Sequence, residues 1–333
     1  MPPAQPLKIG IVGAGAIGSA LAAQLALAGQ PVSLVARGAR RELLAREGVR
    51  LRNGSGELAI AHPAIITLRE LATCDVVVVA VKAQALPELL PQLVQAMAPS
   101  ALLMPAVNGL PWWYFLGASR FARTSLASLD PNGDMLSHFP AERLIGCVVY
   151  TRAAMNDDGD IIVHGEQSLR IGQVGPVPPP IALGNQLASA GVTVSVETDV
   201  RREVWRKLLR NASTNLVSGL TGTNLEQIGN DTGLLAVTSN IAREVAELAE
   251  KLGYPTAPDL DGFVHELRRA GPHVPSTLQD IRAGRALELD ALAEAPLEVA
   301  RWLGCHMPTL DCVLTLLRAQ LRYANSGRRN QER

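Results

Sequence analysis

The stretch "LKIGIVGAGAIGSALAAQLALAG", residues 7–29, constrains the fold more than any other part of the chain. Residues 7–12 form an apolar run of strand length. Gly13, Gly15 and Gly18 then give G-x-G-x-x-G, an Ala-rich helix follows, and Gly29 stands where a helix C-terminus favours glycine. A second apolar run, "PVSLVAR", comes next. Strand, glycine turn, helix and strand within about 30 residues is the context in which this fingerprint binds a dinucleotide. The glycines allow a tight turn and close backbone approach, and the helix start offers N–H groups and a positive dipole end to a pyrophosphate. Gly13, Ala14, Gly15, Ala16, Ile17 and Gly18 are therefore the expected cofactor turn. The plain alternative is a structural Gly-rich turn with no ligand.

The end of the second strand separates two cofactors. An NAD site usually carries Asp or Glu there for the ribose 2′-hydroxyl. Here the strand ends "VARGARR": Arg37 stands in that place, and no carboxylate appears before Glu42. A carboxylate would repel a 2′-phosphate, whereas a guanidinium pairs with it bidentately. The expected cofactor is NADP(H), with Arg40 and Arg41 in reach to assist; a solvated basic loop is the alternative. Two further apolar runs, "CDVVVVAVK" and "SALLMPAVNGL", read as buried parallel strands ending at Lys82 and Asn108. Ligands of open α/β sheets lie at the carboxyl ends of strands, which puts the glycine turn, Arg37, Lys82 and Asn108 along one crevice. Lys82 reads equally as a surface lysine, and Asn108-Gly109 equally as a turn pair.

Residues 144–175 alternate short β-rich runs with turn signals, as antiparallel strands extending the sheet would. From residue 200 the chain reads as helix after helix, punctuated by Gly and Pro. The expected architecture is an α/β Rossmann-type dinucleotide-binding domain over residues 1–198 and an all-α C-terminal domain over 199–333, with the cleft between them as the default site.

The helical half opens with "VWRKLLRNASTN". Lys207, Asn211 and Asn215 recur every fourth residue, each step advancing about 40° around a helix, and Thr214 and Ser218 share the stripe. Amides and hydroxyls suggest a partly buried face, and buried amides need partners. Facing a cleft, Asn211 and Asn215 would bind a polar substrate. A partly desolvated Lys207, its pKa lowered by burial, would serve as a general acid. A helix–helix polar contact is the alternative. Downstream, in "STLQDIRAGRALELD", Ser276 reads as an N-cap, Gly284 interrupts the helix and Glu288 begins the next. A straight helix would set Ser276 and Glu288 about 120° apart, so the break is needed for both to face one cleft.

Composition narrows the class of function. The 333 residues are 47% hydrophobic, with 31 basic and 31 acidic side chains, so no basic footprint for nucleic acid appears. The longest aliphatic run, "VVVVAV", is far short of a membrane span, and the start lacks the layout of a signal peptide. Cys74, Cys147, Cys305 and Cys312 read as reduced, mostly buried thiols rather than metal ligands. A cytoplasmic enzyme acting on a small molecule, with a homodimer left open, is the expectation.

Together these residues resemble the ketopantoate reductases (2-dehydropantoate 2-reductases) over about residues 7–322. The marks are "VGAGAIG", Arg37, "VKA", "NGL", "VWRKLLRNASTN" and "STLQDIRAGRALELD". The resemblance implies NADPH-dependent reduction of ketopantoate to pantoate by an oxidoreductase acting on CH–OH groups. It implies Lys207 as the proton donor to the ketone oxygen, and Asn211, Asn215 and Ser276 as holders of the substrate's hydroxyl and carboxylate. It places Glu288 beside the nicotinamide and the reacting carbon, Asn108 at the nicotinamide end, and Arg37 and Lys82 at the 2′-phosphate. Two departures stand out: "KAQA" at Lys82, where the family often has Lys-Ala-aromatic-Gln, and a long aromatic segment after Asn108. Trp112 and Trp113 within it fit a cleft lining, a core or an interface. The alternatives are a paralogous reductase of another 2-oxo acid, ketone or imine, and a non-catalytic NADP(H)-binding protein.

Overall fold

A computed structural model describes residues 5–117, 125–256 and 260–331. The chain divides into two compact units: one runs to Val200, the other from Arg201, and the short segments Gly109–Pro111 and Leu126–Leu129 belong with the second.

The first unit is built on five parallel strands: β1 (Ile9–Val12), β2 (Val32–Val35), β5 (Ala64–Ile66), β6 (Val76–Val79) and β7 (Leu102–Pro105), in the order β5-β2-β1-β6-β7. Ile9 lies opposite Val32 on one side and Val76 on the other. The chain leaves β1 toward β2 and later returns to β6 on its other flank, so the strand order reverses between β1 and β6. The helix α1 (Ala16–Leu27) has almost no polar face because both of its sides are covered. The parallel sheet lies on one. A second sheet, of β3 (Val49–Arg52), β4 (Leu58–Ala61), β9 (Arg152–Met155) and β10 (Ile161–His164), contacts it as well. Leu51, Ala61, Ile161 and Val163 share one core with Ile9, Ile11 and Leu25.

This arrangement corrects the expectation that residues 144–175 extend the main sheet. β9 and β10 form a hairpin, but β10 pairs in parallel with β3. The β3–β4 hairpin, not anticipated from the sequence, turns at Asn53, whose side-chain oxygen accepts from Ser55 N–H and Glu57 N–H at 3.1 and 2.9 Å. It offers β10 a partner edge away from the parallel strands. β8 (Ile145–Val149), β11 (Ser168–Gln173) and β12 (Thr193–Glu197) form a third sheet in the order β12-β11-β8. A single bridge, Leu103 to Leu144, links this region to the first sheet. The remaining helices of the unit are α2 (Gly38–Glu47), α3 (Leu86–Ala96), α4 (Asp134–His138) and α5 (Ile181–Ser189).

The second unit is helical. α6 (Arg201–Thr221) packs against α8 (Thr232–Lys251), α10 (Ser276–Arg282) and α12 (Pro308–Gln331). Between them run α7 (Leu225–Asn230), α9 (Leu260–Arg269) and α11 (Ala295–Trp302). α7 was not foreseen, although its signal is local: Asn224 and Gln227 form a reciprocal capping box. The stretch 288–302, which reads as one helix, instead opens with a π-helical turn at Asp290–Glu294. Pro296, which has no N–H and whose ring crowds the carbonyl four residues back in an α-helix, lies two residues beyond this turn.

Of the four cysteines, none is bridged; Cys74 and Cys147 are buried, Cys305 is half-buried and Cys312 exposed. Burial pushes the Cys74 thiol pKa up. Trp112 and Trp113 are 2% and 0% exposed, so the aromatic segment contributes core. Residues 118–124 of that segment lie outside the described residues. No described helix is long and apolar enough to cross a membrane.

Candidate functional site

In the first unit the candidate site is the turn at the carboxyl end of β1. Each glycine there answers a different requirement. Gly13 has φ +114°, and a Cβ on it would lie 2.6 Å from the Ala80 carbonyl oxygen at the end of β6. A Cβ on Gly18 would fall within the contact distance of the Gly13 carbonyl oxygen. Gly15 differs from both: its backbone is extended at φ −82°, it is exposed, and a Cβ would meet no protein atom within 4 Å. Gly13 and Gly18 are thus required by the protein's own packing, whereas Gly15 leaves room for something outside it. Gly15 caps α1 with no side-chain hydrogen bond, and no acidic residue occupies the first turn. The helix start therefore presents backbone donors and a positive dipole end, at the point where the strand order reverses. These residues fit a dinucleotide pyrophosphate, with Ala14, Ala16 and Ile17 half-buried around it.

The basic residues separate. Arg37 is exposed and precedes the first residue of α2, a helix with no acid in its first turn. Arg40, expected to assist it, is turned elsewhere. Its guanidinium lies against Gly159 in the β9–β10 turn, its Nε is buried, and burial holds its pKa below the usual arginine value. Lys82 is half-buried at the start of a short 3₁₀ turn, Ala83–Ala85, and Asn108 is half-buried just after β7.

In the second unit, α6 carries the polar stripe. Lys207 and Asn211 are half-buried, while every residue from Ala212 to Gly219 is buried. The hydroxyls and the amides of the stripe do different things. Thr214 Oγ1 donates to the Arg210 carbonyl at 2.7 Å, and Ser218 Oγ donates to the Thr223 carbonyl. Both hydroxyls, which share the stripe with the amides, are occupied by backbone. Asn215 Nδ2 donates to Ser276 Oγ at 3.4 Å, so the structure joins two residues 61 positions apart.

Ser276 is exposed and is the first residue of α10, and the N-cap is Pro275 rather than Ser276 as the sequence suggested. A serine freed from capping keeps its hydroxyl for other partners. The break after α10 occurs as expected, at Gly284 with φ +62°. What sequence reasoning missed is how the break is held. Asp280 is 6% exposed and accepts from Arg285 Nε at 2.8 Å, while Arg285 N–H donates to the Asp280 carbonyl, also at 2.8 Å. This strap reverses the chain just before Glu288, which is 8% exposed. The signal was the Asp-x₄-Arg spacing across a glycine. Among the described residues, no cluster of three His, Cys, Asp or Glu side chains is placed to hold a metal.

Comparison with known proteins covers most of the chain. Residues 9–176 match the family model "Ketopantoate reductase PanE/ApbA", and residues 199–321 match its C-terminal counterpart. A 2-dehydropantoate 2-reductase of Mesorhizobium japonicum is 35% identical over 326 residues, covering 94% of this chain and 97% of that protein. A solved structure from Ralstonia solanacearum MolK2, described as a candidate ketopantoate reductase, is 29% identical with a TM-score of 0.88, covering 95% and 98% of the two chains. The fold, at 20% identity and a TM-score of 0.81, is also that of a D-mandelate dehydrogenase solved with NADH and anilino(oxo)acetate, over 96% of this chain and all of that one.

Proposed function

The chain belongs to the ketopantoate reductase family, and on that premise we propose that it reduces 2-dehydropantoate (ketopantoate) to pantoate with NADPH. When bound, NADPH supplies a hydride to the C2 carbon of the ketone. Everything else falls to residues of this chain. The Gly13–Gly18 turn holds the pyrophosphate, and Arg37 with Lys82 receives the 2′-phosphate. Asn108 holds the nicotinamide end.

Lys207 Nζ donates its proton to the ketone oxygen as that oxygen gains charge, and regains one from water afterwards. Asn211, Asn215 and Ser276 bind the carboxylate and hydroxyl, fixing the ketone relative to Lys207. Glu288 stands beside the reacting carbon. The observation that carries this reading is the Asn215–Ser276 contact, which draws two separate polar segments into one constellation. Four unbridged thiols suit a reducing cytoplasm, where we place the enzyme. A homodimer is the assembly we favour.

The test is NADPH oxidation with ketopantoate, run beside NADH and beside a panel of other 2-oxo acids. Ketopantoate with NADPH is expected to give the highest kcat/KM. A higher value for another 2-oxo acid would reassign the substrate, and no turnover with any carbonyl compound would leave only a cofactor-binding protein.

A further inference from the structure

The π-turn at Asp290–Glu294 has a consequence for a carbonyl. In an α-helix the Ala291 oxygen would accept from the N–H of residue 295. Here Ala295 N–H donates to the Asp290 oxygen instead, one residue further back. The next donor in line would be residue 296, which is proline and has none. The Ala291 oxygen is therefore released from its own helix. It accepts from Leu110 N–H at 2.7 Å.

The neighbouring residue shows how closely the two backbones meet. Gly109 has φ +84°, and a Cβ on it would lie 2.5 Å from both the Ala291 carbonyl carbon and its oxygen. Only glycine takes that conformation cheaply and permits that approach. The same stretch of helix holds the other chain segment that joins the second unit. Glu298, 9% exposed, accepts from Ala127 N–H at 2.8 Å, from Ser128 N–H at 2.9 Å and from Ser128 Oγ at 2.7 Å. Arg318 pairs with Asp290 and Glu294, each at 2.7 Å, tying both ends of the π-turn to α12.

We propose that Pro296 is a positioning residue: by enforcing the π-turn it frees the Ala291 carbonyl to fix the Gly109–Leu110 peptide, one residue beyond Asn108. This rests on Asn108 serving the nicotinamide end, as argued above. Holding Gly109 and Leu110 narrows the backbone positions open to Asn108, which one planar peptide joins to Gly109. The π-turn also lies two residues after Glu288. The hydrogen bond to Leu110 spans 181 positions of the chain.

The experiment uses two variants and four readouts. Pro296→Ala restores an N–H, so the helix can close its ladder and compete for the Ala291 carbonyl. Gly109→Ala forces the two backbones apart. Hydrogen–deuterium exchange at the Leu110 amide reports the bond itself. The expected result is faster Leu110 exchange in both variants, with kcat lower by roughly tenfold to a hundredfold and NADPH affinity lowered by far less, because the Gly13–Gly18 turn and Arg37 are untouched. A change in melting temperature alone, with kcat at the wild-type value, would overturn the positioning role. So would a Leu110 amide that stays protected in Pro296→Ala. Should Gly109→Ala not fold, Pro296→Ala decides. Should the wild-type protein not turn over ketopantoate, the functional reading falls, and Leu110 exchange alone decides whether Pro296 fixes this peptide.

Discussion

The glycine turn and the α6–α10 region are two ways of building a candidate binding surface. In the first, six consecutive residues do the work, and the constraint on each is backbone geometry. In the second, the candidate groups come from positions 207, 211, 215, 276 and 288, and no two of them are sequence neighbours. A contiguous turn is specified by what its glycines lack. A dispersed constellation is specified by what its side chains find, and that depends on packing elsewhere. The two regions should therefore fail differently when altered.

The largest effect is expected in the dispersed region. Lys207→Ala should lower kcat by about 10²–10⁴-fold, the usual range for loss of a general acid, with NADPH affinity intact. Steady-state turnover and cofactor titration check it; near-full turnover would remove Lys207 from the proton-donor role. In the contiguous turn, two neighbouring glycines should part company. Gly18→Ala crowds the Gly13 carbonyl and should cost about 1–3 kcal/mol of stability. Gly15→Ala meets no protein atom. It should melt like the wild type yet bind NADPH at least about tenfold more weakly, because its methyl enters the space for the pyrophosphate. Equal loss of stability in both variants would sink the distinction between packing glycine and ligand glycine.

Arg37→Ala should weaken NADPH by about tenfold, the order of one charge-assisted hydrogen bond, while leaving NADH binding nearly as it was. A parallel loss for both cofactors would assign Arg37 to the fold rather than to the 2′-phosphate. The smallest effect concerns the π-turn. Burial raises the Glu294 carboxyl pKa, but Arg301 and Arg318 outweigh it and hold the group below its usual value of 4.5. A depressed folded pKa contributes stability that is present above the unfolded value and lost as pH falls through the folded one. Glu294→Gln should thus lower stability near neutral pH by no more than about 1 kcal/mol, since the pair is partly solvated. The difference from wild type should vanish on acidification below 4.5. A difference that persists in acid would mean that the ion pairs are not its source.

How much was legible in advance follows the same division. The strands β1, β2, β6 and β7 were readable because buried parallel strands are apolar throughout. The helix α7 was missed even though its capping box was printed in the sequence. The β3–β4 hairpin was missed because its strands are only four residues long and the apolar run of β4 does not mark a buried strand: Leu58 and Ile60 are 39% and 49% exposed. At the site, periodicity put Lys207, Asn211 and Asn215 on one face, but it put Thr214 and Ser218 there too. A hydroxyl on a helix can turn back to its own backbone, whereas an amide is less able to, and spacing does not separate the two.

What the sequence by itself determined is local and covalent. A glycine at 13, 15 and 18 opens the turn, an arginine replaces an acid at 37, and a proline at 296 removes an N–H, whatever surrounds them. What only the tertiary structure decided is where released or unsatisfied groups go. Asn215 meets Ser276, Asp280 takes Arg285 across a glycine, and the carbonyl freed by Pro296 takes the N–H of Leu110. Buried polar groups must find partners, but no pattern along the chain says which of several hundred residues will be near enough to serve.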